Sequence, residues 1–556
     1  MAIDYDKLSR EELVDLVHTH SLRTKFGLVW EDNPEEIVEF SKKNLPYLVR
    51  DEKKSFSHKL RPERNILLEG DNYQSLLALT ATHAGKIDCI YIDPPYNTGA
   101  KDWIYDNDYV DSNDTYRHSK WLSMMKNRLQ LAKVLLKEDG VLICAIDENE
   151  FTRLGLLIEQ IFSNHENHCV TIEHNPRGIQ GRNFSYTHEY AYFSFSRTEK
   201  LIGSRKIEED DISWRNIRDN GGESLRTDAR NCFYSIILED GEIIGFGDVY
   251  PRDKHPKGQS EKHGKQIHIF PIDPKGVERK WRFARQTIES KLHLLRVKET
   301  AKGIEIEIGK DYGTVRTVWQ GSRYDANQWG TKLVASLVPN NGFDFPKSVW
   351  TTYDCIAPVI RDRPEAIVLD FFAGSGTTGH AVQILNSEDD GTRKFILCTN
   401  NENGIAENVT YKRLRAVGKK TSGYEEITGL DFSLDYYKIH TMVKSENYDQ
   451  KILDFSEVIT PFIQLNEEVY DEIVAKIKYQ IYKSQEKCIG IYISFDPSEI
   501  EEFKANLLLQ PGELIAYIAT LDGQGLQNFD LYGWDGVIVK TLPIEIISRM
   551  EANSGY

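Results

Sequence analysis

A short apolar run (residues 86–92) is followed by four consecutive residues, Asp93, Pro94, Pro95 and Tyr96. Together, the chemical groups of these four residues could bind a planar amine. Two prolines fix the backbone and remove two N–H donors, which leaves carbonyl oxygens free to accept hydrogen bonds from a ligand. An exocyclic amine such as adenine N6 offers two N–H donors beside a flat ring. Asp93 and the Pro94 carbonyl could accept both hydrogens while Tyr96 stacks on the ring. The nitrogen lone pair would then point at an electrophile, without a metal or a covalent nucleophile; the alternative is a plain strand-ending turn.

A second motif, "GSGTTG", contains Gly374, Gly376 and Gly379, and the Asp370 before it lies 277 residues after Asp93 (370 − 93). The pattern G-x-G-x-x-G between a strand and a helix is typical of nucleotide binding, because glycines let the backbone turn sharply and approach a ligand closely. Taken alone, the loop fits NAD, FAD or S-adenosylmethionine, or a structural turn.

Both motifs lie where continuous apolar strands alternate with helices. Strands are predicted at "NILLEGD", "KIDCIYID", "GVLICAID", "AIVLDFFA" and "RKFILCTN". This alternation predicts an α/β fold with a mostly parallel sheet that is covered on both faces and binds ligands at the carboxyl ends of its strands. Glu402 follows the last strand, where an acidic residue commonly binds ribose hydroxyls; a solvated loop glutamate is the alternative. Near the start, "SREELVDLV" predicts a helix with Ser9 as its N-cap.

The chain has 556 residues, which predicts two to four domains. It shows no apolar run of the ~20 residues that span a bilayer and no secretory signal, and its seven cysteines are scattered, so a cytoplasmic protein with reduced thiols is expected. The net charge of −17 is uneven. Residues 177–330 hold 27 Lys and Arg against 23 Asp and Glu (+4), whereas residues 431–556 hold 10 against 21 (−11). Such asymmetry can mark separate partners or ordinary solvated faces.

Two other polar clusters could do chemistry. "NHENHCVTIEH" gathers three histidines and a cysteine, but their spacing fits no standard zinc motif, so no metal site is expected. These residues are His165, His168, Cys169 and His174. Asp147, Glu148 and Glu150 follow a predicted strand and could act as acid or base carboxylates. Because acidic residues are favoured at helix N-termini, capping is the simpler role for them.

The segments "DPPYNTG" and "DFFAGSGTTG" resemble the catalytic and cofactor motifs of amino-group DNA methyltransferases, in the order of the β class. "KFGLVWEDNPE", "DENEFTRLGLL", "ILCTNNENGIAENVTYKRL" and "GLDFSLDYYKI" are similar to segments of the modification subunits of type III restriction–modification systems. The resemblance runs through nearly the whole chain but weakens after about Met442. The chain is also shorter than many such subunits, mainly in the recognition region.

The resemblance implies a Rossmann-like, S-adenosylmethionine-dependent methyltransferase sheet with a circularly permuted motif order, in which the two motif strands are neighbours. The catalytic turn would be Asp93, Pro94, Pro95 and Tyr96. Cofactor contacts would come from "NILLEGDNYQSL", from "FDFPKSVW", from the glycine loop and from the strand end that follows it. These residues are Asp71, Phe345, Lys347, Asp370, Phe372, Gly374, Gly376, Thr377 and Glu402.

Five segments are expected along the chain. They are an N-terminal helical segment (1–60), the catalytic part of the methyltransferase core (61–176), an inserted α+β target-recognition domain (177–330), the cofactor-binding part of the core (331–430) and a C-terminal α+β domain (431–556). In the insert, arginines and aromatic side chains could contact phosphates and stack on a displaced base, although any one arginine could belong to a generic charged surface. The candidates are Arg177, Arg182, Phe184, Tyr186, Arg215 and Arg218.

The leading hypothesis is an adenine N6-methyltransferase that acts on double-stranded DNA. Cytosine N4 is the alternative target, but members acting there more often carry serine in place of the aspartate, so Asp93 favours adenine. The resemblance also implies a homodimer and a restriction helicase–nuclease partner, with the acidic C-terminal region in contact with one of them; a stand-alone methyltransferase is the alternative. A nucleotide-dependent oxidoreductase leaves the Asp-Pro-Pro-Tyr turn unexplained, and a catalytically silent DNA-binding subunit conflicts with two intact motifs.

Overall fold

The computed structural model describes residues 9–10, 30, 34–105, 108–111, 114–181, 183–207, 212–301, 303–520, 526, 532–543 and 545–555. They form two compact units, Ser204–Val315 and a larger unit made of Met1–Gly203 and Arg316–Tyr556. Residues 11–17 of the predicted helix "SREELVDLV" lie outside the described residues.

The larger unit is built on a ten-stranded sheet. Its strands are β1 (Asn44–Arg50), β2 (Arg64–Glu69), β3 (Ile87–Ile92), β4 (Leu136–Ile146), β5 (His165–Ile172), β6 (Glu189–Ser196), β7 (Val318–Trp319), β8 (Ile367–Asp370), β9 (Lys394–Thr399) and β10 (Ser433–Val443). Across the sheet they lie in the order β1-β10-β2-β9-β8-β3-β4-β6-β5-β7. The strands from β10 to β4 in this order are parallel, whereas β1 and β6 run antiparallel to their neighbours.

Adjacent parallel strands carry the two sequence motifs. β8 leads into the glycine loop and pairs with β3, which leads into the Asp-Pro-Pro-Tyr turn; Val368 lies opposite Cys89, and Leu369 lies opposite Ile90. Because parallel strands end at the same edge of a sheet, two motifs that are far apart in the sequence meet at this edge.

Helices cover both faces of the sheet. They are α1 (Glu36–Lys43), α2 (Asn72–His83), α3 (Arg117–Leu135), α4 (Phe151–Ile161), α5 (Val349–Ile360), α6 (Thr377–Asp389) and α7 (Tyr411–Val417). Ile90 and Ile92 of β3 belong to a core shared with α2, α3 and α4, whereas Tyr91 lies outside that core and β3 also packs on α5. Burial on both faces explains why every residue of β3 is buried. The predicted α/β class is confirmed.

A buried ion pair ties α3 to the strand that precedes the glycine loop. The Arg128 guanidinium donates to Glu35 Oε1 at 2.8 Å and to Asn72 Oδ1. The Asn72 amide donates in turn to the Phe371 carbonyl at 3.1 Å, just after β8. Both charged side chains of the pair are almost fully buried, so neither can replace its partner with water.

Arg128→Ala is expected to lower the free energy of unfolding by about 3–5 kcal/mol, because it leaves the Glu35 carboxylate buried without its counter-ion. Chemical denaturation measures the change. Lys133→Ala, at an exposed position of the same helix, is the control; it removes a surface hydrogen bond to the Ile161 carbonyl and should alter stability by no more than about 1 kcal/mol. Equal effects of the two substitutions would contradict the structural role of Arg128.

The smaller unit has a core of its own, and its described strands form three antiparallel sheets. The strands are Ser204–Lys206 and Tyr312–Thr314 in the first sheet, Arg215–Asn216, Gly303–Ile308 and Leu295–Thr300 in the second, and Glu242–Val249, Tyr234–Glu239, Gln266–Ile269 and Ser260–His263 in the third. Trp281 lies in the core, and its indole donates to the Tyr234 carbonyl at 2.8 Å. Residues 177–203 and 316–330, predicted as parts of the insert, belong to the larger unit.

Two predicted terminal segments contribute strands to the main sheet. β1 falls in the predicted N-terminal helical segment, and β10 falls in the predicted C-terminal domain but lies between β1 and β2. After β10 come the helices Tyr448–Ser456, Thr460–Glu467, Ile500–Leu508 and Glu545–Asn553 and a five-stranded sheet of Asp471–Ala475, Tyr479–Lys483, Lys487–Tyr492, Glu513–Ile518 and Val537–Thr541. Ile489 and Ile515 of this sheet share a core with α2. Within the described ranges, no helix has the length and apolar character needed to cross a membrane.

Candidate active site

The Asp-Pro-Pro-Tyr turn is held by side chains from outside it. The Trp121 indole of α3 donates to the Pro95 carbonyl at 2.7 Å. Asn97 follows the turn with a φ of 57°, is fully buried, and donates through its side-chain amide to Glu150. The Pro95 carbonyl is therefore occupied, whereas no donor to the Pro94 carbonyl is found among the described residues.

Glu150, at the N-cap position of α4, supports this turn through its side chain. Its buried carboxylate accepts a hydrogen bond from Asn97, forms another with the His118 imidazole, and accepts from Arg153 at 3.3 Å. Its side chain makes no capping hydrogen bond to α4. Glu150 thus occupies the N-cap position of α4, but its carboxylate bonds the side chains of Asn97, His118 and Arg153 and not the helix backbone.

Asp93 faces a buried cluster of charged and phenolic groups. The Lys347 ammonium lies 3.5 Å from Asp93 Oδ1 and donates to the Tyr96 hydroxyl and to Glu189 Oε2. The Tyr96 hydroxyl also donates to Glu189 Oε2, at 3.2 Å. Lys347, predicted as a cofactor contact, thus lies against the predicted catalytic turn. Glu189 was missed by the sequence analysis; the signal that could have found it is a glutamate at the head of an apolar strand, "EYAYFSF".

Burial and charge pairing together set the protonation of these groups. Burial raises the pKa of Asp93, Lys347 opposes the rise, and Glu189 adds to it. Burial alone would lower the pKa of Lys347, but the two carboxylates hold it above its usual value. Burial also opposes ionisation of Glu189, yet the Lys347 ammonium keeps its pKa below the usual range. The cluster is therefore one ammonium shared by two carboxylates.

The glycine loop adopts backbone conformations that require glycine. The φ angle is +47° at Gly374 and +79° at Gly376, both in the left-handed region. A Cβ at Gly376 would also lie 3.1 Å from Thr410 Cγ2, and one at Gly379 would lie 3.1 Å from Leu397 Cδ1. The Thr410 hydroxyl donates to the Gly374 carbonyl, which braces the loop from behind.

Arg413 fixes the start of α6 from inside the protein. Its guanidinium is fully buried and donates to Ser375 Oγ at 2.9 Å and to Thr377 Oγ1 at 2.7 Å. The hydroxyl of Thr377, a predicted cofactor contact, is therefore already engaged as an acceptor. Arg413 lies in α7, 36 positions after Thr377, so local sequence patterns did not link it to the loop.

A segment before α5 joins the two motifs. Phe343 lies at the glycine loop, where a Cβ on Gly374 would come 3.1 Å from its Cζ, and Lys347 lies at Asp93. Asp370, at the end of β8, is buried between the motifs; burial raises its pKa to about 7, and the Asp93 charge adds to the rise. The two motifs are thus close enough for their charges to interact.

Three other predicted cofactor residues follow the carboxyl ends of parallel strands: Asp71 after β2, Phe372 after β8 and Glu402 after β9. Asp71 has a structural role as well, because it caps α2 by accepting from the Tyr73 N–H at 2.8 Å. Phe372 and Glu402 are half-buried. Phe345 is 89% exposed, with a φ of 55°.

Two of the predicted DNA-contacting side chains project from a short hairpin. Its strands are Ile179–Gln180 and Ser185–Tyr186. Phe184 is 76% exposed and Tyr186 is 42% exposed, an unusual degree of exposure for aromatic side chains. The hairpin directly precedes β6, the strand that begins with Glu189.

The predicted DNA-contacting arginines have different surroundings. Arg177 and Arg215 are exposed, and Arg182 lies outside the described residues. Arg218 is buried, donates to the Ile272 carbonyl at 2.9 Å, and lies 3.7 Å from Glu305. The predicted DNA contact of Arg218 is therefore wrong, because its guanidinium is engaged inside the smaller unit.

The histidine-rich segment has contacts that account for its side chains. His165 forms a hydrogen bond with Ser194 Oγ at 3.2 Å, and His168 stacks on Phe195 with ring centroids 5.5 Å apart. His174 lies 3.9 Å from Glu189. Over the part of the chain that the structure describes, no cluster of three or more His, Cys, Asp and Glu residues could hold a metal ion.

Comparison with known proteins gives the family. A sequence model of the DNA methylase family matches residues 87–410, which include both motifs. The chain is 31% identical over 391 residues to the type II methyltransferase M.KpnI of Klebsiella pneumoniae, with 66% of this chain and 85% of that protein covered.

It is 28% identical over 439 residues to the Mod subunit of the type III restriction-modification enzyme EcoPI of Escherichia phage P1, with 68% of this chain and 66% of the subunit covered. Across three type III Mod subunits, the chain spans 61–66% of their length. A solved M1.HpyAVI–SAM complex is similar at 14% identity, with 63% of this chain and 98% of that chain covered and a TM-score of 0.30. From the family match and the M.KpnI alignment, the chain belongs to the DNA methylase family.

Proposed function

We propose that the protein transfers a methyl group from S-adenosylmethionine to the N6 amine of adenine in double-stranded DNA. The observation that carries this proposal is that the two motifs meet on adjacent parallel strands, with Asp93 and Tyr96 after β3 and the glycine loop after β8. One motif suits a planar amine, and the other suits a ligand that approaches the backbone closely.

The residues around the glycine loop fit S-adenosylmethionine, which supplies an electrophilic methyl group when bound. Left-handed glycines leave the loop surface free of side chains. Phe345 and Phe372 would offer apolar surface to the cofactor, whereas Asp71 and Glu402 would offer carboxylates to its polar groups. Asp370 lies at the start of the loop, between the two motifs.

In this proposal Asp93 and the Pro94 carbonyl accept the two amine hydrogens, while Tyr96 stacks on the adenine ring. Asp93 and the Pro94 carbonyl would thereby aim the N6 lone pair at the methyl group that S-adenosylmethionine would supply, and the proton that N6 loses on transfer would pass to solvent. The Asp93 side chain is only 26% exposed, and the target amine of a base stacked in a duplex cannot be brought to a recessed group of this kind. The base must be extruded, which costs a few kcal/mol.

The domain organisation that we propose follows from this chemistry. The core is a circularly permuted methyltransferase sheet in which the catalytic part (residues 61–176) precedes the cofactor-binding part (residues 331–430). Residues 177–330 recognise the DNA target, with Phe184 and Tyr186 stacking on bases and Arg177 and Arg215 contacting phosphates. The exposure of these four side chains supports the assignment.

Phe184→Ala is expected to weaken binding to duplex DNA by about 1–3 kcal/mol, the usual worth of one aromatic side chain stacked on a base. Fluorescence anisotropy with a labelled duplex measures the affinity. Tyr532→Ala, at an aromatic residue that is 87% exposed in the C-terminal region, is the matched control and should leave the affinity unchanged. If Phe184→Ala binds DNA as tightly as the wild type, the stacking role belongs to another residue.

We further propose that the chain is the modification subunit of a type III system and works as a homodimer with a restriction helicase–nuclease partner. The type III Mod relatives support this role. The acidic region 431–556, with its balance of −11, would repel DNA and is better suited to a protein contact. Light scattering on the whole chain tests the dimer; a 64.1 kDa monomer that methylates DNA at full rate would refute it.

The class of reaction is tested by incubating the protein with duplex DNA and S-adenosylmethionine that carries a labelled methyl group. Label is expected in the DNA. An oxidoreductase or a catalytically silent DNA-binding subunit would leave the DNA unlabelled.

A further inference from the structure

Four side chains from separate parts of the chain converge on the amine side of the site. Asp93 and Tyr96 follow β3, Glu189 begins β6, and Lys347 precedes α5. Lys347 contacts Glu189 and Tyr96 directly, and Tyr96 donates to Glu189 at 3.2 Å. Glu189 is therefore the group that anchors both of the others.

Asp93 is held less closely in this cluster than Lys347, Tyr96 and Glu189, which contact one another directly. Its Oδ1 atom is buried, and the nearest cation among the described residues, Lys347 Nζ, lies 3.5 Å away, at the outer limit of a hydrogen bond. A buried carboxylate oxygen normally takes a hydrogen-bond donor. Lys347 is thus the donor placed for this buried oxygen, and because the Asp93 side chain is 26% exposed, its accessible part remains open to the target amine.

Resting on the proposed function, we propose that Glu189 and Lys347 form a positioning pair for the target amine. Glu189 holds the Lys347 ammonium near the buried Oδ1 of Asp93, where its charge favours the ionised carboxylate. An arriving amine then meets an ionised Asp93 at the exposed part of its side chain. Lys347 acts through Asp93, in contrast to the cofactor contact that the sequence resemblance implies for it.

The two members of the pair, Lys347 and Glu189, have opposite effects on the pKa of Asp93. The Lys347 charge lowers the pKa of Asp93, which burial raises, and the Glu189 charge raises it further. Removing Lys347 should therefore make Asp93 harder to ionise, and removing the Glu189 charge should make it easier. The other titratable groups described around this cluster are Tyr91, Cys144, Asp147, Glu148, His174, His188, Cys355 and Asp370.

The test compares Lys347→Met and Glu189→Gln with the wild type in single-turnover methyl transfer across pH, with saturating S-adenosylmethionine and duplex DNA. Lys347→Met is expected to move the acid limb of the rate upward by about 1–3 pH units, the range by which an opposite charge at this distance lowers a carboxyl pKa. Glu189→Gln is expected to move the limb downward and to lower the plateau rate, because the released ammonium then occupies Asp93. Lys347→Arg, which keeps the charge, should restore most of the wild-type profile.

Calorimetric binding of S-adenosylmethionine and thermal unfolding supply independent readouts. If Lys347 and Glu189 act through Asp93, all three variants should bind S-adenosylmethionine with nearly unchanged affinity. Weaker cofactor binding by Lys347→Met with an unshifted pH profile would overturn the proposal and return Lys347 to the cofactor site. Acid limbs that move in the same direction in Lys347→Met and Glu189→Gln would also overturn it. A wild-type protein that transfers no methyl group at any pH would instead refute the proposed function itself.

Discussion

Asp93→Ala is expected to reduce methyl transfer by at least about 10²–10⁴-fold, the usual contribution of a positioned acceptor group to catalysis, while cofactor affinity stays nearly unchanged. The carboxylate is the acceptor that orients the amine, and the neighbouring carboxylate of Glu189 is already engaged by Lys347 and Tyr96. Lys347, the closest charged neighbour at 3.5 Å, is a donor and cannot accept an amine hydrogen.

Asp362→Ala is the matched control for this substitution. Asp362 is exposed in the loop before β8, at the end of the sheet opposite to Asp93, so its removal should leave the rate unchanged. Rapid-quench measurement of one turnover separates the chemical step from DNA binding. Near-normal turnover by Asp93→Ala would show that another group orients the amine.

Gly376→Ala is expected to weaken cofactor binding at least about 5-fold, because a side chain in the left-handed region costs roughly 1–2 kcal/mol and the backbone must shift to relieve it. The φ of Gly376 is +79°, and its new Cβ would lie 3.1 Å from Thr410 Cγ2. Thr410 also holds the Gly374 carbonyl, so a shift there would disturb the whole loop.

Gly423→Ala separates this local effect from simple backbone strain. Gly423 has a similar φ of +82°, but a Cβ there would meet no atom within 4 Å. It should lose similar stability in thermal unfolding and keep full cofactor affinity by calorimetry. Equal losses of affinity in the two variants would mean that Gly376 acts through overall stability and not through the loop.

The fold class could be predicted because buried parallel strands leave a clear sequence signal. The sequence of β3 is an apolar run that ends at Asp93, and the neighbouring strands β4 and β8 contain apolar runs of the same kind. β10 lacks that signal: its sequence is "SLDYYKIHTMV", and it buries Asp435 through an ion pair with Arg50 of β1 at 2.7 Å. Buried polar residues that are satisfied by distant partners hide such a strand from pattern analysis, so the sequence did not indicate that β10 joins the main sheet.

Some residues of the candidate site could be predicted from the sequence, whereas others could not. Asp93, Tyr96 and the glycines could be found because each motif is contiguous in the sequence. The sequence analysis missed Glu189 and did not link Glu150 to the catalytic turn, because the partners of each carboxylate are distant in sequence. Arg218 shows the opposite failure, since counting charges does not distinguish an exposed arginine from one whose guanidinium is bound inside a domain.

The central claim is that the Asp-Pro-Pro-Tyr turn and the glycine loop form one site for adenine N6. Nucleoside mass spectrometry tests it most directly, on duplex DNA that has been incubated with the protein and isotope-labelled S-adenosylmethionine. We expect labelled N6-methyladenine from the wild type and none from Asp93→Ala. Label in N4-methylcytosine, or equal labelling of adenine by both proteins, would contradict the account.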